Sequence, residues 1–323
     1  MTLDPHVRRL LDMVAASGSA GVPAPTIDER RRGFAKLMAL SGPGTAAGHA
    51  EDRVLPGPDG PIPIRVYTSA RAANRRLPGL VYFHGGGFVA GSLDTNDALA
   101  RTLADESGAR VVAVGYRLAP EHRYPAALVD CHAATAWAMA HPIELGIEPG
   151  MVAVAGDSAG ATLAAVVCRR LGERPGPQPL FQLLLCPIAD FAAETESRRL
   201  FGTGYLIDET MIAADLRHYL PPGVTATDPQ VSPLRAADLS GLCPTYIHTA
   251  EADPLRDEAV GYAARLREAG VPAQCTCHAG MIHLFYGMAG VIPYARTAWA
   301  QIGIEIRAAF AEAVVPASRT RAG

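Results

Sequence analysis

The sequence predicts an α/β protein: an open, doubly wound sheet of eight strands, mostly parallel, with helices on both faces and a helical cap. Two observations carry this. From residue 79 onward, short apolar runs alternate with helix-like stretches, the signature of crossover units feeding a parallel sheet. In addition, 49% of the 323 residues are hydrophobic and only 19% charged, enough for a large core.

In chain order, residues 1–45 read as amphipathic and helical. Val7, Leu10, Leu11 and Val14 recur at helical spacing, as do Phe34, Leu37, Met38 and Leu40. Ser41-Gly42-Pro43-Gly44 then breaks the pattern. Strands are expected at 52–55 and 62–67, joined by the hairpin-type turn Gly57-Pro58-Asp59-Gly60. Further strands follow at 79–83, 110–115, 151–155, 180–186, 243–249 and 272–278. Helices are expected at 95–107, 125–140, 159–171, 255–269 and about 294–313. Residues 190–225 interrupt the alternation and read as an insertion. With residues 1–45 they are expected to form a cap over the carboxyl edge of the sheet, where open α/β sheets hold ligands. Residues 46–189 and 226–323 form the catalytic domain in this reading.

Composition narrows the function. Lys and Arg number 29 against 32 Asp and Glu, a net charge of −3, which leaves no electrostatic footprint for nucleic acid or an anionic membrane. Lys36 is the single lysine. The N-terminus lacks a basic region followed by an apolar core, so no signal peptide is expected. No apolar run reaches the roughly 18 residues of a membrane helix. A cytoplasmic protein is therefore expected. The six cysteines are scattered, most within apolar runs, where they behave as small hydrophobes. Cys275-Thr276-Cys277-His278 has no second ligand pair, so no metal is expected.

The chemistry centres on Gly156-Asp157-Ser158-Ala159-Gly160, between the run Met151–Ala155 and a helix-like stretch. Strand, Gly-x-Ser-x-Gly, helix is the context of a nucleophile elbow: only glycine fits beside the serine, whose Oγ is pushed into the open. A serine hydroxyl needs a base, normally histidine, oriented by a carboxylate. Of ten histidines, His283 lies just after the last strand, at the same sheet edge as Ser158. Asp253 follows the preceding strand. Asp257 reads as capping or solvating its helix, Glu251 as pointing away from Asp253, His278 as packed or half exposed within its strand, and His248 as lying inside a strand. After the strand 79–83, His84-Gly85-Gly86-Gly87-Phe88 lets backbone N–H groups face an incoming oxyanion. The expected donors are Gly86, Gly87 and Ala159, with Gly85 in reserve. No Gly-Lys-Ser/Thr follows, unlike a phosphate loop. His84 reads as a hydrogen-bonding strut.

With these motifs in order, together with Tyr116-Arg117-Leu118-Ala119-Pro120-Glu121-His122 and Asp253-Pro254-Leu255-Arg256-Asp257-Glu258, the chain resembles the hormone-sensitive-lipase-like carboxylesterases, bacterial family IV of the α/β-hydrolases, over about residues 60–310. Ala161 stands where many relatives carry glycine. The resemblance implies an α/β-hydrolase fold and a cofactor-free serine carboxylesterase acting on short-chain esters, with Ser158, Asp253 and His283 as triad. It implies that Tyr116–His122 buttresses the site, with Arg117 and Glu121 read as a buried ion pair. Phe34, Phe88 and Tyr205 are the expected pocket walls, or else plain core. The same site could serve amide, lactone or acetyl-ester hydrolysis, and the fold is also reused as a non-catalytic small-molecule receptor. Relatives pair through the last strand, and 272–278 is apolar enough for an exposed edge to need covering, so a homodimer is expected.

Overall fold

A computed structural model describes residues 1–16, 25–42, 48–70, 72, 75–173 and 175–314. The chain runs α1 (Pro5–Ala16), α2 (Ile27–Met38), β1 (His49–Gly57), β2 (Gly60–Thr68), β3 (Leu77–Phe83), α3 (Asp97–Ser107), β4 (Arg110–Val114), α4 (Ala126–Ala140), β5 (Ile147–Asp157), α5 (Ala159–Gly172), β6 (Gln182–Leu185), α6 (Glu196–Phe201), α7 (Glu209–Tyr219), β7 (Thr245–Ala252), α8 (Arg256–Glu268), β8 (Ala273–Ile282) and α9 (Tyr294–Val314). The breaker residues Pro43 and Gly44 and the tail 315–323 lie outside the described residues.

The eight strands form one sheet in the order β1-β2-β4-β3-β5-β6-β7-β8. β2 pairs antiparallel with both β1 and β4; every other pairing is parallel. The central strands are buried on both faces: Leu80 to Phe83, Val152 to Ala155 and Leu183 to Leu185 are almost wholly inaccessible. This is why they read as unbroken apolar runs rather than alternating ones. Parallel pairing aims the carboxyl ends of β3, β5, β6, β7 and β8 at one edge. β8 extends to Ile282, four residues past the expected end at 278, which brings the strand itself up to His283. Among the described residues no helix is long and apolar enough to cross a membrane.

Polar ties behind this edge fix the outer strands. Glu251 accepts from the Gly280 N–H at 2.8 Å, which pins β7 to β8 and takes it out of contention as the acid. His248 and His278 are both buried, which settles His278 as packed rather than half exposed. Their Nδ1 and Nε2 lie 3.1 Å apart, His248 Nε2 reaches Glu305 at 2.9 Å, and His278 Nδ1 reaches the Tyr294 hydroxyl at 3.2 Å. Burial, and then the neighbouring His248, press His278 down to about 4, so this imidazole is neutral at physiological pH. The Cys275-Thr276-Cys277-His278 stretch splits across the strand, with Cys277 exposed and His278 buried.

Charged groups lock the segment 190–225 down. Arg198 of α6 donates to Glu258 of α8 at 2.9 and 3.0 Å and to the Asp190 carbonyl at 3.0 Å. Asp257 does cap a helix, though not its own: it accepts from Ser197 N–H in the first turn of α6 at 2.8 Å. Arg117 and Glu121 do not pair with each other. Arg117 binds Asp130 at 2.8 Å and Asp59 at 3.0 Å, whereas Glu121 is exposed and bound by Arg31 of α2 at 2.7 Å. The chain turns between them, so neighbours in sequence face different partners. Since the Glu258 side chain is 0% exposed and burial lifts its carboxyl to about 8 even against the pull of Arg198, Arg198→Leu leaves a buried acid without its cation. Denaturant titration should show a loss of about 3–5 kcal/mol, and an unchanged midpoint would count against the pair as a structural anchor.

Candidate active site

β5 delivers Ser158 to the carboxyl edge and α5 begins directly after it. The serine has φ 52° and ψ −122°, a backbone conformation costly for a residue with a side chain. Both flanking glycines are sterically required. A Cβ on Gly156 would run into the Gly160 carbonyl, and one on Gly160 into the carbonyls of Phe83 and His84. The turn is tied to the neighbouring strand by Ser158 N–H donating to Leu185 O at 2.8 Å.

Three side chains distant in sequence meet here. His283 Nε2 lies 3.0 Å from Ser158 Oγ, and His283 Nδ1 lies 2.8 Å from Asp253 Oδ2. The other Asp253 oxygen accepts from Leu255 N–H at 2.9 Å. Asp253 is fully buried, and His283 and Ser158 are 1% and 6% exposed. With Asp253 on Nδ1, the proton belongs on that nitrogen and Nε2 is left as the acceptor facing the hydroxyl.

The glycine loop after β3 lies beside Oγ. Gly86 and Gly87 have φ 118° and 65°, open to glycine alone at little cost. Neither of their N–H groups has a backbone acceptor among the described residues, and the Ala159 N–H, first in α5, has none within its helix. Asp157 welds this loop to the elbow. Its Oδ1 accepts from the Tyr82 hydroxyl and from Gly85 N–H at 3.0 Å. Burial lifts the Asp157 carboxyl to about 6, against the opposing pull of Tyr82, Gly85 and His283. Gly85 is thus already engaged, which leaves Gly86 and Gly87 as the free donors. His84 does act as a strut: its Nδ1 lies 2.7 Å from the Gly85 carbonyl, its ring stacks on Tyr116 at 4.3 Å, and the Tyr116 hydroxyl donates to its carbonyl at 2.6 Å. The loop after β4 therefore props the glycine loop from behind.

A cavity of about 540 Å³ opens onto Ser158, His283, Gly86 and Gly87. Arg30, Phe34 and Leu37 of α2 line one wall, and Met211, Ile212 and Asp215 of α7 another, with Ile188, Phe191 and Leu206 between them. Of the three expected walls, Phe34 lines the cavity, whereas Phe88 and Tyr205 do not. Phe88 has φ 65°, which turns its ring away to stack on Tyr219 at 3.9 Å. Tyr205 packs edge-on against Phe201 at 5.0 Å. The sequence reading missed Arg30 and Asp215, a bidentate pair in the cavity wall, with Nη2 donating to Oδ2 at 2.8 Å and Nε to Oδ1 at 3.2 Å. Arg30 stands four residues before Phe34 on the same helical stripe, a spacing that could have revealed it. Cys186 was also missed. Among the described residues it forms, with Asp253 and His283, the one convergent set of ligand-type side chains, their atoms within 4.8 Å of one another.

Comparison with known proteins follows the geometry. A family model described as alpha/beta hydrolase fold matches residues 80–287. The chain is 40% identical over 295 residues to the carboxylic ester hydrolase LipN of Mycobacterium tuberculosis, covering 89% of this chain and 78% of that one. It is 36% identical over 301 residues to an ethyl acetate hydrolase of Pseudomonas putida, covering 90% and 94%. Among solved structures, a hyperthermophilic esterase from the archaeon Pyrobaculum calidifontis superposes with a TM-score of 0.88 at 38% identity, covering 95% of this chain and 99% of that one.

His84 makes the site sensitive to acid. Burial depresses it from 6.5 to about 4. Between those values the unfolded chain binds a proton that the folded protein refuses, so this contribution to stability is intact above pH 6.5 and is lost as pH falls towards 4. Replacing His84 by Asn keeps an N–H donor and removes the titration. Unfolding titrations at pH 6.5 and 4 should show the wild type losing about 3 kcal/mol more than His84→Asn; parallel losses would contradict the assignment.

Proposed function

The chain belongs to the hormone-sensitive-lipase-like α/β-hydrolases and is a carboxylic ester hydrolase, and from that premise we propose that it cleaves short-chain esters through an acyl-enzyme on Ser158. The single observation that carries this reading is the continuous line Asp253–His283–Ser158 at 2.8 and 3.0 Å.

In this mechanism His283 Nε2 takes the Ser158 proton as Oγ attacks the ester carbonyl carbon. The carbonyl electron pair moves onto oxygen, and the oxyanion is received by the N–H groups of Gly86, Gly87 and Ala159. Each such donor is worth about 3–4 kcal/mol of transition-state stabilisation in a dry site. Asp253 holds the imidazolium in line through Nδ1–H. The intermediate then collapses, the C–O bond to the alcohol breaks, and Nε2–H protonates the departing oxygen. Water enters, loses a proton to the same Nε2, attacks the acyl carbon, and frees the acid with Ser158 restored. No step calls for a metal or cofactor.

The segments 1–45 and 190–225 act as the cap in this reading, supported by the cavity walls that α2 and α7 supply. The mostly apolar lining suits a small ester better than a charged one. The edge position of β8 supports pairing with a second copy of the chain.

Two measurements test the reading. Ser158→Ala should abolish hydrolysis of a short chromogenic ester while circular dichroism stays native; full activity would end the proposal. A fluorophosphonate should label the wild type at Ser158 and leave the variant unlabelled, whereas a receptor on this fold would stay unlabelled in both forms.

A further inference from the structure

Cys186 follows β6 directly, and the catalytic scheme leaves it without a role. It is wholly buried, and its φ of 43° is unfavourable for any residue with a Cβ. Among the described non-glycine residues, five have positive φ. Three of them meet at this point: Ser158, Cys186 and Leu284, the last at 57° and next to His283. Strain gathered in this way persists only where surrounding contacts over-determine it.

The contacts at the sulfur are specific. The Tyr286 hydroxyl donates to Sγ at 2.6 Å. Sγ, an Asp253 oxygen and a His283 ring nitrogen all lie within 4.8 Å of one another. Its position is set by the backbone, since Cys186 N–H donates to His248 O in β7 at 2.7 Å, while Leu185 O holds the Ser158 N–H. Burial, followed by the Asp253 charge, pushes the thiol well above the ordinary cysteine value, so it stays protonated. A neutral S–H can donate to the carboxylate without adding charge beside the imidazole. The titratable groups facing His283 from the surrounding elements are Asp253 after β7, Cys186 after β6 and Asp157 ending β5, with Tyr286 on its own loop.

We propose that Cys186 is a positioning residue for the triad: its thiol donates a further hydrogen bond to the nearby Asp253 carboxylate while the Tyr286 hydroxyl fixes the sulfur, so that one side chain holds both the acid and the start of the His283 loop. The proposal rests on the acyl-transfer reading of the site. The Tyr286 bond is local to the loop that carries His283, and the proposed bond is to its partner, so removing the thiol loosens the Asp253–His283 line without touching the cavity. The effect belongs in kcat rather than KM.

The experiment starts with fluorophosphonate titration to count reactive sites in the wild type and each variant. Failure of the wild type to react sinks the acyl-transfer reading itself, before Cys186 is tested. With rates expressed per titrated site, Cys186→Ala should lower kcat about tenfold with KM unchanged. The acid limb of kcat/KM should move to higher pH, because the carboxylate has lost a donor that shares its charge with the imidazolium. Cys186→Ser, which restores a donor, should recover most of the rate. A purely structural cysteine would reduce the number of titrated sites and leave per-site kcat and the limb alone. Per-site kcat within about twofold of wild type, or a limb that stays put or moves down, overturns the proposal. If Cys186→Ala does not fold, Tyr286→Phe serves instead: it should lower per-site kcat in the same direction by a smaller factor, and wild-type kinetics would be equally fatal.

Discussion

The site depends on how closely two backbone turns can approach. The elbow after β5 and the glycine loop after β3 press together so tightly that Gly160 faces the carbonyls of Phe83 and His84, and Asp157 reaches across to the Gly85 N–H. Neighbouring parallel strands start this approach, and the absence of side chains at three positions completes it. Oγ and the candidate oxyanion donors are therefore placed by the sheet itself. A buried carboxyl lifted to about 6 is the electrostatic cost of the weld, and the hydroxyl of Tyr82 and one backbone amide offset it.

Strain is distributed around that contact. Ser158, Phe88, Cys186 and Leu284 all take positive φ, each costing on the order of 1–3 kcal/mol. The inaccessible strands behind them supply the rigidity that keeps these conformations in place. Phe88 shows how such strain is used. It ends the glycine loop, and its turned ring stacks on Tyr219 of α7, so the loop that carries the candidate oxyanion donors is braced by the helix that walls the cavity.

Much of this was legible in the sequence. The strands stood out because a strand buried on both faces must be apolar throughout. The elbow and the glycine loop stood out because their backbone geometry admits few residue types. Asp253 and His283 could be chosen because each follows a strand on the same edge. The cavity walls were harder to read, since an aromatic residue in a loop looks alike whether it faces a ligand or a neighbour. Backbone sign at Phe88 and local stacking at Tyr205 decided the matter, and neither is written in residue type. Cys186 was hidden for a related reason: a cysteine ending an apolar run has the pattern of a core residue, and only the positions of Tyr286 and Asp253 give it a different meaning. Arg117 and Glu121 sit four apart, yet a turn in the chain sends them to opposite neighbours.

The pairing of Arg30 with Asp215 spans 185 residues of chain. During synthesis, α2 leaves the ribosome near the beginning, yet its partner is not made until two thirds of the polypeptide has been translated. Phe34 and Leu37 thus spend that interval uncovered, and His283 arrives later still. The cavity beside Ser158 is therefore among the last parts of the molecule that can close, because its two walls and its histidine come from opposite ends of the chain.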